Sequence, residues 1–303
     1  MRTALTRRDF SKTIGFGAAA AALSGAPTRK LKIGYTCIIW GTFPRGAEAF
    51  ATLEPALKDV GSLGYYGFET FPEVLEDWDK RGALTGLIEK YGVPLTSGYI
   101  RTNLTDPSAH KENLTQVIRL AKVIKKYGGR FGVLAPNSMK REGYDFKAHR
   151  ANIISALNDC AMAVNDVGLG TGLHQHTGTC IETRDETYNV MESANTKHLK
   201  FAPDVGQLQK GGADAAKVIE DFLPLVHHMH LKDFNGGEHF AGYCPLGQGK
   251  VNIPRILDLV EGVSHPVNVM VELDPSSKQP LTPLETAQIS TAYLKKLGYT
   301  FRV

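Results

Sequence analysis

Leu225–Phe234 reads LVHHMHLKDF. An apolar run of strand length carries three histidines, a lysine and an aspartate, groups that are costly to bury without partners. Side chains along a strand alternate between two faces. His228, His230 and Lys232 therefore share one face, and His227, Met229 and Leu231 share the other. The first is the face of a strand that lines a site; the second suits packing on helices. Whether this is a fold-level pattern depends on how often it recurs, and at which end of each strand.

It recurs along the whole chain from Lys30 onward. Eight short apolar runs can be read: LKIGYTCII, YGFETF, PLTSGYI, RFGVLAP, GTGLHQH, LKFAPD, VHHMHLKD and VNVMVELD. Between them lie stretches with apolar residues three and four apart, such as AFATLEPALKDVGSLG, NLTQVIRLAKVIKKYGG and RANIISALNDCAMAVNDVG, the spacing of amphipathic helices. Several end in glycine (Gly64, Gly92, Gly128, Gly168), as helix C-termini do. Strand–helix alternation repeated eight times argues for parallel strands. With no shift in composition after residue 28, residues 29–303 are expected to form one α/β domain, a single (β/α)8 TIM barrel. An open doubly wound sheet is the competing architecture. It usually carries a Gly-rich phosphate loop after its first strand, and here the first run continues CIIWGTFPRG without GxGxxG.

A barrel places its chemistry at the C-terminal ends of its strands, and ionisable residues gather there. Glu69 ends the second run and Arg101 follows the third. His174 and His176 end the fifth, Asp204 the sixth, and His230, Lys232 and Asp233 the seventh. Glu272 and Asp274 end the eighth. His174, Asp204, His230 and Glu272 come from four successive strands. They offer the mixed nitrogen and oxygen donors that suit one divalent ion (Mn, Co, Zn, Fe or Mg), with positions left for substrate oxygens.

Composition narrows the function classes. The chain has 303 residues, 42% hydrophobic and 22% charged, with a formal net charge of +4. No long basic run points to nucleic acid or an anionic membrane. The four cysteines, Cys37, Cys160, Cys180 and Cys244, form no CxxC pair, so they read as unpaired small hydrophobes. The N-terminus differs from the rest. TRRDFSK at Thr6–Lys12 precedes a Gly- and Ala-rich stretch too short and too mildly apolar to span a bilayer. With Arg7 and Arg8 paired, Phe10 two beyond and Lys12 following, residues 1–28 resemble a twin-arginine export signal. That resemblance implies the export machinery as a partner, a periplasmic or otherwise exported destination, and no permanent membrane anchor.

The motifs GYYGFET, HQHTGTCIE, APDVGQ, HMHLKD, PLGQGKVNIPRIL and VMVELD together resemble the xylose-isomerase-like barrel superfamily, which includes sugar isomerases, epimerases and inosose and dehydroshikimate dehydratases. The resemblance covers all of residues 29–303. It implies one divalent metal held by a carboxylate on strand five, Asp on strand six, His on strand seven and Glu on strand eight. The last three fall on Asp204, His230 and Glu272. The first falls on His174, a departure from the Glu of most isomerases and epimerases. Glu182, eight residues on, either supplies that carboxylate or begins the next helix. Gln207 stands where many members carry His.

A metal on a sugar carbonyl and its neighbouring hydroxyl would stabilise an enediolate as a Lewis acid, while a base removes the α proton. His176 is the first candidate for that base and Glu182 the second. Lys232 and Arg101 are cations for the developing oxyanion, unless Lys232 is tied in a structural ion pair and Arg101 is a surface charge. Glu69, Arg101 and Gln207 are the candidate substrate-binding residues; Glu69 reads equally as a structural partner. The glycine-rich segment Asp233–Lys250 suits a mobile cover. The expected activity is elimination from a keto sugar or polyol derivative by a lyase or dehydratase. Isomerisation or epimerisation through the same enediolate is the alternative, and a non-catalytic metal- or sugar-binding barrel a second one. A nuclease reading is disfavoured by the modest charge and the export signal. A small carbohydrate is the expected ligand, nucleic acid is not, and association into a homo-oligomer is compatible with the sequence.

Overall fold

The structure is a computed structural model that describes residues 29–44, 52–277 and 279–302. The segment resembling an export signal lies outside the described residues.

The elements run β1 (Ile33–Thr36), α1 (Leu53–Ser62), β2 (Phe68–Thr70), α2 (Pro72–Lys80), α3 (Leu84–Tyr91), β3 (Leu95–Thr102), α4 (His110–Lys126) and β4 (Phe131–Pro136). Then follow α5 (Phe146–Val167), β5 (Gly170–Leu173), α6 (Arg184–Ser193), β6 (Lys200–Phe201), α7 (Val205–Lys210), α8 (Ala215–Asp221) and β7 (His228–Leu231). Two-residue strands β8 (Asp233–Phe234) and β9 (Tyr243–Cys244), helix α9 (Ile253–Glu261), strand β10 (Asn268–Val271) and helix α10 (Pro283–Lys296) complete the order.

Each of the eight apolar runs holds one barrel strand. They pair in parallel in the order β6-β5-β4-β3-β2-β1-β10-β7. The remaining seam, β6 to β7, is closed by single bridges between Phe201 and Val226 and between Asp204 and His230. There His227 N–H donates to Phe201 O at 3.1 Å and His230 N–H to Pro203 O at 2.9 Å. β8 and β9 form a small antiparallel hairpin above the mouth.

The helices form where the 3.6-residue period predicts them. α4 buries Val117, Leu120, Ala121 and Ile124, the stripe of one helical face. Gly64, Gly92, Gly128 and Gly168, read as helix stops, all take positive φ, which only glycine adopts at little cost. Thr183 with Glu186 and Thr282 with Glu285 make capping boxes that start α6 and α10.

Inside the barrel an apolar floor lies beneath a polar layer. Phe131, Val133 and Ala202 cluster with Tyr99, and Phe131 stacks on the His228 ring at 5.1 Å and 11°. All four cysteines are buried and unpaired. Among the described residues no helix is long and apolar enough to cross a membrane.

Candidate functional site

His174, Asp204, His230, Lys232, Glu272 and Asp274 converge above this floor. The β7–β10 register sets His230 opposite Met270, so Glu272, two residues past Met270 on the same face, comes level with Lys232. Asp204 follows β6 as the N-cap of α7: Oδ1 accepts from Gln207 N–H at 2.9 Å, which leaves Oδ2 for the site. His174 donates Nδ1–H to Ala202 O at 3.1 Å, and Nε2 is then the free lone pair.

Among the described residues the buried His174 Nε2 has no hydrogen-bond partner, while Asp204 Oδ2 meets Lys232 Nζ at 2.8 Å and His230 Nδ1 meets Glu272 Oε2 at 2.9 Å. One ligand atom from each of His174, Asp204 and His230 lies within 4.8 Å of the others. That Glu272–His230 contact pairs a carboxylate with the protonated ring and helps raise the His230 pKa. Buried polar atoms are rarely left unpaired, and two imidazole nitrogens with two carboxylate oxygens are a divalent-ion donor set. The charges agree. Among the described residues, the ion pairs of Glu69, Asp204, Glu272 and Asp274 are to His228, His230 and Lys232, four carboxylates against three bases. The residues present therefore fit a divalent cation.

Ionisation follows from burial against pairing. Burial, with His230 and His176 nearby, holds His174 well below its usual pKa, so the ring is neutral and able to ligate. Burial opposes charge on His230, but Glu272 and Glu69 outweigh it and raise its pKa well above the usual value. A cation entering here displaces that proton. Burial also opposes charge on Glu272 and Glu69. His230 and Lys232 outweigh it at Glu272, and His230 and His228 at Glu69; both carboxyls are held low. Asp204 is raised by burial, which Lys232 only partly offsets.

Glu69 orients the set from β2. Its Oε1 accepts from His230 Nε2 at 2.7 Å, and its Oε2 meets His228 Nε2 at 3.1 Å and accepts from Ser97 Oγ at 2.5 Å. Such a carboxylate behind a ligating histidine fixes ring and tautomer. A pH dependence follows for the metal-free protein. The depressed Glu69 contributes stability that is present above its unfolded pKa of about 4.3 and lost as pH falls through its folded value. The raised His230 contributes stability that is complete below about pH 6.5 and lost as pH rises through its folded value. Urea unfolding across pH should therefore decline on both sides of a plateau, and Glu69→Gln should flatten both limbs.

A cavity of about 740 Å³ opens over the site. Glu69, Tyr99, Arg101, His176, Glu272 and Asp274 line it, together with Ile38, Phe43, Phe71 and Pro136. Arg101 is exposed, with its guanidinium 5.5 Å from the Phe71 ring. His176 Nδ1–H donates to Thr177 O at 2.7 Å, and its Nε2 accepts from Gln207 Nε2 at 2.7 Å. Gln207 thus holds His176, and its Oε1 accepts from Thr177 Oγ1 at 2.6 Å. Glu182 is not brought to the other residues. Its Oε2 accepts from Gly178 N–H at 2.5 Å, near Arg141 Nε at 3.7 Å, as befits a residue one before the α6 cap.

Lys232 is fully buried, and its ion pairs are to Asp204, Glu272 and Asp274. Asp233 is not among its partners. Asp274 was visible at the end of the eighth run but carried no assigned role; its signal was the two-residue spacing from Glu272. His227, on the opposite face of β7, stacks on His265 at 4.3 Å.

The sequence profile of the xylose isomerase-like TIM barrel family matches residues 57–297. The chain belongs to that family. This xylose isomerase-like barrel is 22% identical over 298 residues to the inosose dehydratase of Clostridium botulinum (strain Alaska E43 / Type E3), covering 88% of this chain and 97% of that one. Among solved structures it resembles the 3-keto-D-glucoside 4-epimerase YcjR from E. coli in its apo form (TM-score 0.65, 16% identity, 88% of this chain and 99% of that one). It also resembles IOLI protein with a bound zinc atom (TM-score 0.69, 16% identity, 88% and 98%).

The segment after β7 of this xylose isomerase-like barrel is moored, not loose. The buried Asp233 carboxylate accepts from the N–H groups of Phe234 (2.9 Å), Gly247 (3.0 Å), Gly249 (2.9 Å) and Val251 (3.2 Å). The glycines expected to make a mobile cover instead allow close approach: a Cβ on Gly249 would lie 2.1 Å from Asp233 Oδ1. Asp233→Ala leaves those amides without their acceptor. The expected loss is at least about 3 kcal/mol, two of the four bonds at the lower end of about 1.5–3 kcal/mol for a hydrogen bond to a charged group, the rest being replaced by water, with faster amide exchange at Gly247, Gly249 and Val251.

Proposed function

We propose that this chain is a divalent-metal-dependent carbohydrate enzyme. It removes a proton α to the carbonyl of a keto sugar or related polyol derivative and completes the reaction by elimination. The observation that carries this reading is the cluster of ligand atoms from His174, Asp204 and His230, with His174 Nε2 unpartnered, beside Glu272, which lines the cavity. When bound there, a divalent ion supplies a Lewis acid for a carbonyl oxygen.

The chain's own residues supply the rest. Glu69 fixes the His230 ring. Lys232 keeps Asp204 and Glu272 ionised and converging. His176 has Nδ1–H committed to Thr177 O, and its Nε2 lone pair, which accepts from Gln207 Nε2 here, serves as proton acceptor once Gln207 yields it to the substrate. Ile38, Phe43, Phe71 and Pro136 exclude water from one wall, and Arg101 stands at the rim.

Elimination is preferred because epimerisation through two opposed carboxylates needs one at the end of β5. That position is His174, and Glu182 is turned away onto Gly178. The inosose dehydratase relative supports the same direction. The second reading, isomerisation or epimerisation through the same first step, is favoured by the likeness to a 3-keto-D-glucoside epimerase.

Metal content of the purified chain, beside an Asp204→Ala/His230→Ala variant, tests the reading. Solvent-deuterium uptake into keto sugars, with and without His176→Gln, tests the proton step. Metal lost in the double variant, with uptake that needs His176, is the expected result. Metal without uptake on any ketose leaves a binding barrel, and no metal removes the mechanism. Export of this enzyme through residues 1–28 is part of the same proposal; replacing Arg7 and Arg8 by lysine should keep it in the cytoplasm.

A further inference from the structure

Lys232 Nζ has no exposure to solvent. It lies 2.8 Å from Asp204 Oδ2, 2.5 Å from Glu272 Oε1 and 3.2 Å from Asp274 Oδ2. Two of these carboxylates also belong to the donor set. Glu272 faces His230 with Oε2 and the ammonium with Oε1. Asp204 belongs to that set, and its Oδ2 is an ion-pair partner of Lys232. Carboxylates that bridge neighbouring positive charges are the framework of a two-metal centre.

The lysine stem is fitted to its place. A Cβ on Gly206 would come within 2.8 Å of Lys232 Cγ and 2.9 Å of its Cβ. On another side the Tyr243 ring centroid lies 4.7 Å from Nζ.

We infer that Lys232 is the second cation of this centre: a tethered ammonium standing where a two-metal site would hold its second ion, so that the protein takes one divalent ion and not two. The inference rests on the metal reading above and goes beyond it. It assigns Lys232 a positioning role, held by the carboxylates that hold the ion. It also means that, of the two positive charges these carboxylates hold, one is exchangeable and the other is fixed to the chain behind it.

The test is ion stoichiometry. The wild-type chain, Lys232→Ala and Lys232→Met are equilibrated with Mn²⁺ and freed of excess ion. Manganese per chain is measured, with electron paramagnetic resonance to detect coupling between ions. Wild type should hold about one ion, and Lys232→Ala about two, magnetically coupled, as in centres with ions about 3.5–4 Å apart. Lys232→Met fills the space of the lysine stem without charge and should hold about one. The melting temperature of Lys232→Ala should rise with Mn²⁺ well beyond the rise seen for Lys232→Met. A Lys232→Ala chain that holds a single ion, or that no Mn²⁺ concentration will fold, overturns the inference. A wild-type chain that holds none overturns the metal reading on which it rests.

Discussion

Lys232→Met is expected to destabilise the metal-free protein by about 3–5 kcal/mol, the cost of removing one partner from a buried ion pair. At about 2–4 °C per kcal/mol for a domain of this size, that is a fall of roughly 10 °C in melting temperature. Burial alone would strip the ammonium of its charge. Asp204, Asp274 and Glu272 overcome it and raise the Lys232 pKa well above the usual value. Without the lysine, Asp204 and Glu272 stay buried with His230 as the nearest cation. Asp204, already raised by burial, should then take up a proton. Two readings separate this from a general packing defect. Asp204→Asn/Lys232→Met should recover part of the loss, because it removes the uncompensated charge. Gly206→Ala, which only crowds the stem, should cost about 1–3 kcal/mol with no such recovery. Calorimetry of the four chains decides it; a melting temperature unchanged by Lys232→Met would contradict the burial argument.

His230→Ala should abolish tight metal binding and lower the rate of substrate deuterium exchange by about three orders of magnitude. A Lewis acid is worth several kcal/mol of transition-state stabilisation, and each 1.36 kcal/mol is tenfold. His230 is singled out because it carries two connections. Nδ1 belongs to the donor set, and Nε2 is the link to Glu69 and through it to His228. Glu69→Gln keeps the first and alters the second, so it should weaken metal affinity by about 10–100-fold, as loss of a carboxylate that orients a ligating histidine does. A similar loss in both variants would mean that Glu69 itself ligates.

The barrel was legible because its signals are periodic. Eight runs and the glycines at 64, 92, 128 and 168 locate every barrel strand and four helix stops. The inward face of β7 followed from alternation alone. What alternation cannot give is the partner across the barrel. The His230–Glu69 contact joins positions 161 residues apart and depends on barrel closure. Lys232 could be paired from sequence with Asp233 or Glu272; only the geometry brings in Asp204 and Asp274. Glu182 was misleading for a related reason. A carboxylate after a strand end is equally consistent with a ligand and with a helix start, and its hydrogen bond to Gly178 N–H turns it from the ligand set.

Lys232 and Asp233 are neighbours in sequence with opposite loyalties. One carboxylate bonds the backbone of the segment that follows, while the preceding side chain bonds the donor set. The moored amides belong to Phe234, Gly247, Gly249 and Val251, none of them in the tip, and Gly249 has no room for a side chain against the carboxylate. The tip between β8 and β9 can therefore change its side chains, and even its length, while the chemistry beneath it stays fixed. In evolutionary terms this hairpin is an interchangeable part. Ala241 of this tip lines the cavity, so ligand preference can be varied there while the donor set and the mooring stay as they are.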